Sequence, residues 1–129
     1  MMQKTRSEAQ RYFQNAKELL RKSPIENNLY TDKKYVKSAC GVAYLGVLEA
    51  INEYLLRQGL SKKELPKKVE EYEKALKRHA SPRNGKLINM FDAIYEELHI
   101  AGYYRGNLHS VDTVKAALRT AKEFVEKIG

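Results

Sequence analysis

The residues best suited to chemistry lie in one short run, Tyr103-Tyr104-Arg105-Gly106-Asn107-Leu108-His109-Ser110. Arg105 supplies a cation whose planar fork fits a phosphate, and His109 supplies an imidazole that can give or take a proton. Four residues apart, the two would share one face if the backbone stayed helical across Gly106, ready to grip a phosphate and move a proton. Asn107 would add a neutral donor. The same residues admit a plainer reading. Gly106 ends a helix, Arg105 complements the negative end of its dipole, and His109 is a polar residue just before Ser110, a good N-cap for the helix that follows.

The elements that must position this run are read from apolar periodicity. A first helix is expected from about Thr5 to Lys22, where Ala9, Tyr12, Phe13, Ala16, Leu19 and Leu20 recur at three- and four-residue spacing, and Ser23-Pro24 ends it. A linker through Asn27, Asn28 and Tyr30 leads to Asp32, an N-cap for a second helix that runs to Gln58 and stops at Gly59. That helix is apolar on both sides. Val36, Cys40, Ala43, Val47, Ile51 and Tyr54 form one face, while Val42, Leu45 and Leu56 lie nearly opposite, so it is either the central helix of a bundle or carries a dimer interface. Ser61-Lys62-Lys63-Glu64 reads as the capping box of a third helix, with Pro66 tolerated in its first turn and Val69, Tyr72, Leu76 and Ala80 as its stripe.

Ser81-Pro82-Arg83-Asn84-Gly85 reads as a turn, and Leu87, Phe91, Ile94, Tyr95, Leu98 and Ala101 mark a fourth helix that weakens at Gly102 or Gly106. The last helix starts after Ser110 and carries Val114, Leu118, Ala121, Val125 and Ile128. No convincing period-two stretch and no interdomain linker interrupts this pattern. The expectation is one domain over residues 1–129, an all-α, up-and-down bundle of four to five helices.

Composition narrows the function. The single cysteine, Cys40, sits in an apolar run and cannot form an intramolecular disulfide, which fits a reducing, cytoplasmic setting. The N-terminus lacks the apolar core of a signal peptide, and the uncharged run Ser38 to Leu48 is too short to span a membrane. There is no Gly-rich phosphate loop, Walker-type Lys motif, Gly-x-Ser-x-Gly elbow or Cys-x-x-Cys pair, so hydrolase and dinucleotide readings fall away, and no cofactor is expected. Glu96 and His99 have the i, i+3 spacing of half a di-iron site, but no second Glu-x-x-His exists, so no metal is expected either.

The formal net charge of +8 is localised: residues 61–86 carry nine Lys/Arg against four acids, whereas 87–104 carry only Asp92, Glu96 and Glu97. Lys63, Lys67, Lys74 and Arg78 fall on or near one side of the third helix, with Arg83 and Lys86 in the following turn, a stripe that could track a phosphate backbone or simply be a solvated helix face. Tyr30 and Tyr35 beside Lys33, Lys34 and Lys37 offer a second pairing of aromatic and basic groups.

The run from Tyr103 to His109, followed by Ser110 to Ile128 with Ala116, Ala117 and Ala121, resembles the end of a HEPN domain, and Ala39 to Gly59 is similar to that family's second helix. HEPN domains are compact helical bundles of bacterial toxins, antitoxin partners and nucleotidyltransferase-associated proteins. In active members an Arg and a His separated by four to six residues form a metal-independent ribonuclease site, commonly paired across a homodimer. The resemblance implies that Arg105 would bind the scissile phosphate and His109 would act as general acid or base while the ribose 2′-hydroxyl attacks, with Asn107 in support. Here three residues separate the pair, Gly106 replaces the usual polar neighbour, and Ser110 and Val111 stand where a Tyr often follows the His. The resulting expectation is a homodimeric domain that binds RNA or a nucleotidyltransferase-like protein without efficient catalysis. The alternatives are a metal-independent endoribonuclease using Arg105 and His109, or a purely protein-interacting helical module.

Overall fold

The computed structural model describes residues 7–80 and 84–129. Helix α1 (Glu8–Arg21) begins where the Ser7 hydroxyl accepts from the Gln10 amide at 3.2 Å while the Gln10 side chain accepts from the Ser7 amide at 3.0 Å. The expected start at Thr5 lies outside the described residues, and the extended backbone of Ser7 makes Glu8 the first helical residue. Beyond Ser23-Pro24 the expected linker is in fact a hairpin, β1 (Ile25–Glu26) against β2 (Leu29–Tyr30). Asn27 and Asn28 form its turn at φ of 51° and 61°, a left-handed conformation that Asn tolerates and that matches the twist of paired strands. Strands of two residues are too short to leave a period-two signal.

Helix α2 (Lys33–Arg57) is capped by Asp32, whose carboxylate accepts from the Lys34 amide at 3.1 Å. It is the central element: α1 packs along one side of it and the helices that follow pack on its others, but of the second apolar face only Val42 is covered, and that in part. Leu45 and Leu56 remain exposed at 49% and 39%. By length and hydropathy α2 could cross a membrane, yet half of its most apolar window is buried among the other helices, as in a core helix.

The third helix begins later than expected. Ser61 and Glu64 do form the capping box, but they close only a 3-10 turn (Lys62–Glu64). Pro66 disfavours helical backbone at Leu65, which is extended at φ −66° and ψ 146°, and α3 (Val69–His79) starts afresh. Two phenols bind α3 to α2: Tyr54 donates to the His79 carbonyl at 2.7 Å and Tyr72 to the Asn52 side chain at 3.0 Å. Tyr72 and Leu76 are buried by this contact, and the charged face of α3 is turned to solvent.

Helix α4 (Asn84–Ile94) runs without a break into a π-helix, Tyr95–Tyr104, where an α-helix through Ala101 was expected. The wider winding ends with the Arg105 amide donating five residues back to the Ile100 carbonyl at 2.8 Å. Along it Tyr95, His99 and Tyr103 stack four residues apart, with ring centroids 5.3 and 5.9 Å from His99, and Tyr44 of α2 covers His99 at 4.9 Å. Gly102 lies so close to α2 that a Cβ there would fall 2.6 Å from the Cys40 sulfur.

Helix α5 (Val111–Ile128) begins at Ser110, whose hydroxyl accepts from the Thr113 amide at 3.4 Å. Val114, Ala121 and Ile128 are buried as expected, but Phe124 fills the core where Val125 was expected, and Leu118 is only half-buried. The assembly is an all-α bundle with one small hairpin and a continuous core centred on Phe91.

One pair of like charges in this bundle has a measurable consequence. Glu73 shares a hydrogen bond with Asp92, and this contact, together with desolvation and the charge of Asp92, lifts the Glu73 carboxyl above its ordinary value. Because the folded state holds that proton more tightly, the stabilisation is fully present below the ordinary carboxylate range and is lost as pH rises through the raised value. Glu73→Gln keeps a donor at every pH. It should therefore raise the Tm by about 1–3 °C at neutral pH, a gain that shrinks as the wild type is acidified, read by thermal melts across pH.

Candidate nucleic-acid interface

Four of the six cations expected to contact nucleic acid converge. Lys63 from the 3-10 turn and Lys67, Lys74 and Arg78 from α3 and its approach line one open groove of about 710 Å³, together with His79. Lys74 and Arg78 meet because a spacing of four residues returns to the same side of α3, and Lys67 reaches them from the extended approach to that helix. Lys63 joins them because the extended stretch through Pro66 lays the 3-10 turn beside α3. Lys86 is exposed on α4 and does not line this groove, and Arg83 lies outside the described residues.

The two carboxylates in the groove are already engaged. Glu64 accepts from the Ser61 amide and Glu71 from the Lys67 amide, each at 2.7 Å. These backbone hydrogen bonds hold both carboxyls below their ordinary values, so they stay ionised as caps and form no ion pair with the neighbouring lysines. What remains is a concave surface with three ammonium groups and one guanidinium available to an anion. Tyr72, the aromatic closest in sequence to this face, is buried and offers no stacking platform.

The Arg105 to His109 run takes a different form from a shared helical face. Gly106 has φ +65°, and the Asn107 amide reaches back to the Ala101 carbonyl at 2.8 Å, which ends the π-helix. The chain then runs extended. The His109 carbonyl accepts from the Tyr30 amide at 2.8 Å, Leu29 bridges Ser110, and the Val111 amide donates to Asn28 at 3.0 Å. Asn28 also donates to Asp112 at 3.0 Å, so the hairpin fixes where α5 begins. Arg105, Asn107 and His109 are all exposed, and among the described residues none of their side chains has a hydrogen bond or ion pair.

Two lysines that sequence spacing did not connect with this run lie against it. A Cβ at Gly106 would sit 3.1 Å from the side-chain carbons of both Lys33 and Lys37, so the stems of those lysines cover the loop. No local signal could have found this, because the contact joins the start of α2 to the end of the π-helix. The second aromatic and basic pairing is local: the Lys34 ammonium lies 4.7 Å from the Tyr35 ring centroid.

Glu96 and His99 do not form a metal-binding pair. Glu96 is exposed, whereas His99 stacks within the tyrosines, since π winding swings residues three apart away from one another. Among the described residues, no three His, Cys, Asp or Glu side chains are grouped to hold a metal ion. Cys40 is fully buried, and burial pushes its thiol up to about 12, which leaves it a packing residue at neutral pH.

No curated protein matches the chain. Among solved structures, the chain is similar to a protein of unknown function from Dyadobacter fermentans, with 33% identity, a TM-score of 0.76, and coverage of 94% of this chain and 89% of that one. The family model described as a domain of unknown function, DUF5618, matches residues 4–129, and the chain belongs to that family.

Proposed function

We propose that this chain is a HEPN-like domain that binds RNA through the α3 groove without cleaving it. The observation that carries this reading is the convergence of Lys63, Lys67, Lys74 and Arg78 on one concave surface whose two carboxylates are tied to backbone amides. A phosphate backbone supplies the repeated negative charge that such a surface lacks. The HEPN-like part draws on the helical bundle and on the placement of the Arg-Gly-Asn-Leu-His run between the last two helical rods. In this reading a homodimer would form over the exposed apolar strip of α2 and the π-helix, where Leu45 is 49% and Tyr103 48% exposed.

Catalysis by Arg105 and His109 would need both side chains held against one phosphate. Gly106 breaks the helical face they would share, and no hydrogen bond orients either group in advance of substrate. Single-stranded RNA incubated with the protein in EDTA is therefore expected to be bound and to remain intact on a denaturing gel. Cleavage that disappears in both Arg105→Ala and His109→Ala would replace this reading with a metal-independent endoribonuclease. A partner that binds at the apolar strip, with affinity insensitive to salt, would favour a protein-interaction module instead.

A further inference from the structure

Helices α1 and α5 both pack on α2 but scarcely touch each other, and between them lies a groove of about 670 Å³ that shares no residue with the α3 groove. Its size is that of a small-molecule site. The floor is apolar: Phe13 and Leu20 come from α1, Leu118 from α5, and Ile25 and Tyr30 from the hairpin that closes one end. Ile25 is 55% exposed and Leu118 half-buried, so this floor still offers apolar surface to an occupant.

The walls are cationic on both sides. Lys17 and Arg21 stand one turn apart on α1, and Lys115, Arg119 and Lys122 follow i, i+4, i+7 on α5, so each row faces the groove. No Asp or Glu lines it, and among the described residues none of the five cations makes an ion pair or hydrogen bond. Two facing rows of like charge repel one another until an anion enters.

We propose that the α1–α5 groove binds an anionic amphiphile, an aliphatic chain lying on Ile25 and Leu118 with a phosphate-class head held between Arg21 and Arg119. Five cations exceed what one carboxylate would balance, and a phosphate monoester carries up to about two charges and accepts bidentate pairs from arginine. A nucleic acid is disfavoured because the open part of the floor, Ile25 and Leu118, is aliphatic, and a sugar-phosphate chain laid over it would cover apolar surface with polar groups. The head can belong to a free alkyl phosphate or to a phospholipid in a bilayer; the chemistry recognised is the same.

The test uses the full chain and decyl phosphate below its micelle concentration, followed by calorimetry. Saturable single-site binding is expected, at least about tenfold tighter than inorganic phosphate, because burying the chain adds apolar contact that phosphate alone lacks. Arg21→Gln/Arg119→Gln and Leu118→Asn, each checked for wild-type circular dichroism, should each weaken decyl phosphate binding by about tenfold or more. Lys63→Gln/Lys67→Gln, in the α3 groove, should leave it unchanged, which separates this site from the RNA reading. Flotation with phosphatidic acid vesicles that is lost in Arg21→Gln/Arg119→Gln assigns the head to a lipid surface; absence of flotation with retained decyl phosphate binding assigns it to a free amphiphile. Equal affinity for decyl phosphate and inorganic phosphate, binding that persists in the groove variants, or loss of RNA binding in Arg21→Gln/Arg119→Gln with no effect on decyl phosphate would overturn the proposal.

Discussion

Phe91→Ala is expected to lower the free energy of unfolding by about 3–5 kcal/mol, the range for removing a fully buried phenylalanine. Phe91 has no exposed surface, and its ring lies 6.4 Å from Tyr44 of α2, 6.2 Å from Tyr72 of α3 and 6.3 Å from Phe124 of α5. One side chain on α4 thus joins three other helices, and a cavity there removes contacts that no single neighbour can refill. Against a typical total stability of about 5–15 kcal/mol, the loss would remove from about a fifth to all of it. Urea unfolding followed by circular dichroism measures it. A loss below about 1 kcal/mol would mean that these helices do not meet at this ring.

Gly102→Ala is expected to destabilise by about 1–3 kcal/mol, the cost of overpacking a close contact, although the same change in an open helix would add stability. The new Cβ would lie 2.6 Å from the Cys40 sulfur and 2.7 Å from its Cβ, distances that force the π-helix away from α2. Cys40→Gly removes both obstructing atoms and leaves the Glu97 carbonyl at 3.1 Å as the nearest remaining neighbour. In that background Gly102→Ala should therefore cost clearly less, the remainder coming from the 3.1 Å approach to the Glu97 carbonyl. The double-mutant cycle isolates the contact: a coupling energy of about 1–3 kcal/mol is expected, and additive effects would show that the π-helix does not rest on Cys40.

The helix widens at Tyr95 without leaving a mark in its apolar spacing. Leu87, Phe91, Ile94 and Leu98 are all buried and fit an α-helical stripe, so the pattern carries no sign that the winding widens after Ile94. The change becomes visible only against α2, where Gly102 meets Cys40 and Gly41 meets Tyr103. Local capping was legible where one side chain decides it, as at Asp32 and Ser110. It misled at Ser61, where a genuine capping box is followed too soon by Pro66 for a helix to grow. The same contrast holds for the site. Lys67, Lys74 and Arg78 could be grouped from spacing because one helix carries two of them and its approach the third, whereas Lys33 and Lys37 reach Gly106 only through tertiary packing. Leu118 fits the apolar repeat of α5, but α1 and α5 splay apart, and it became the floor of a groove instead of core.

The most direct test of RNA binding through the α3 groove is the salt dependence of affinity for a fluorescent single-stranded RNA, measured for the wild type and for Lys63→Gln/Lys67→Gln/Lys74→Gln/Arg78→Gln. If each of the four cations neutralises one phosphate, the plot of log K against log salt should have a slope contribution of roughly −3 from this groove, and the quadruple variant should lose that contribution together with most of its affinity at low salt. Unchanged affinity and slope in a correctly folded quadruple variant would contradict RNA binding through this groove.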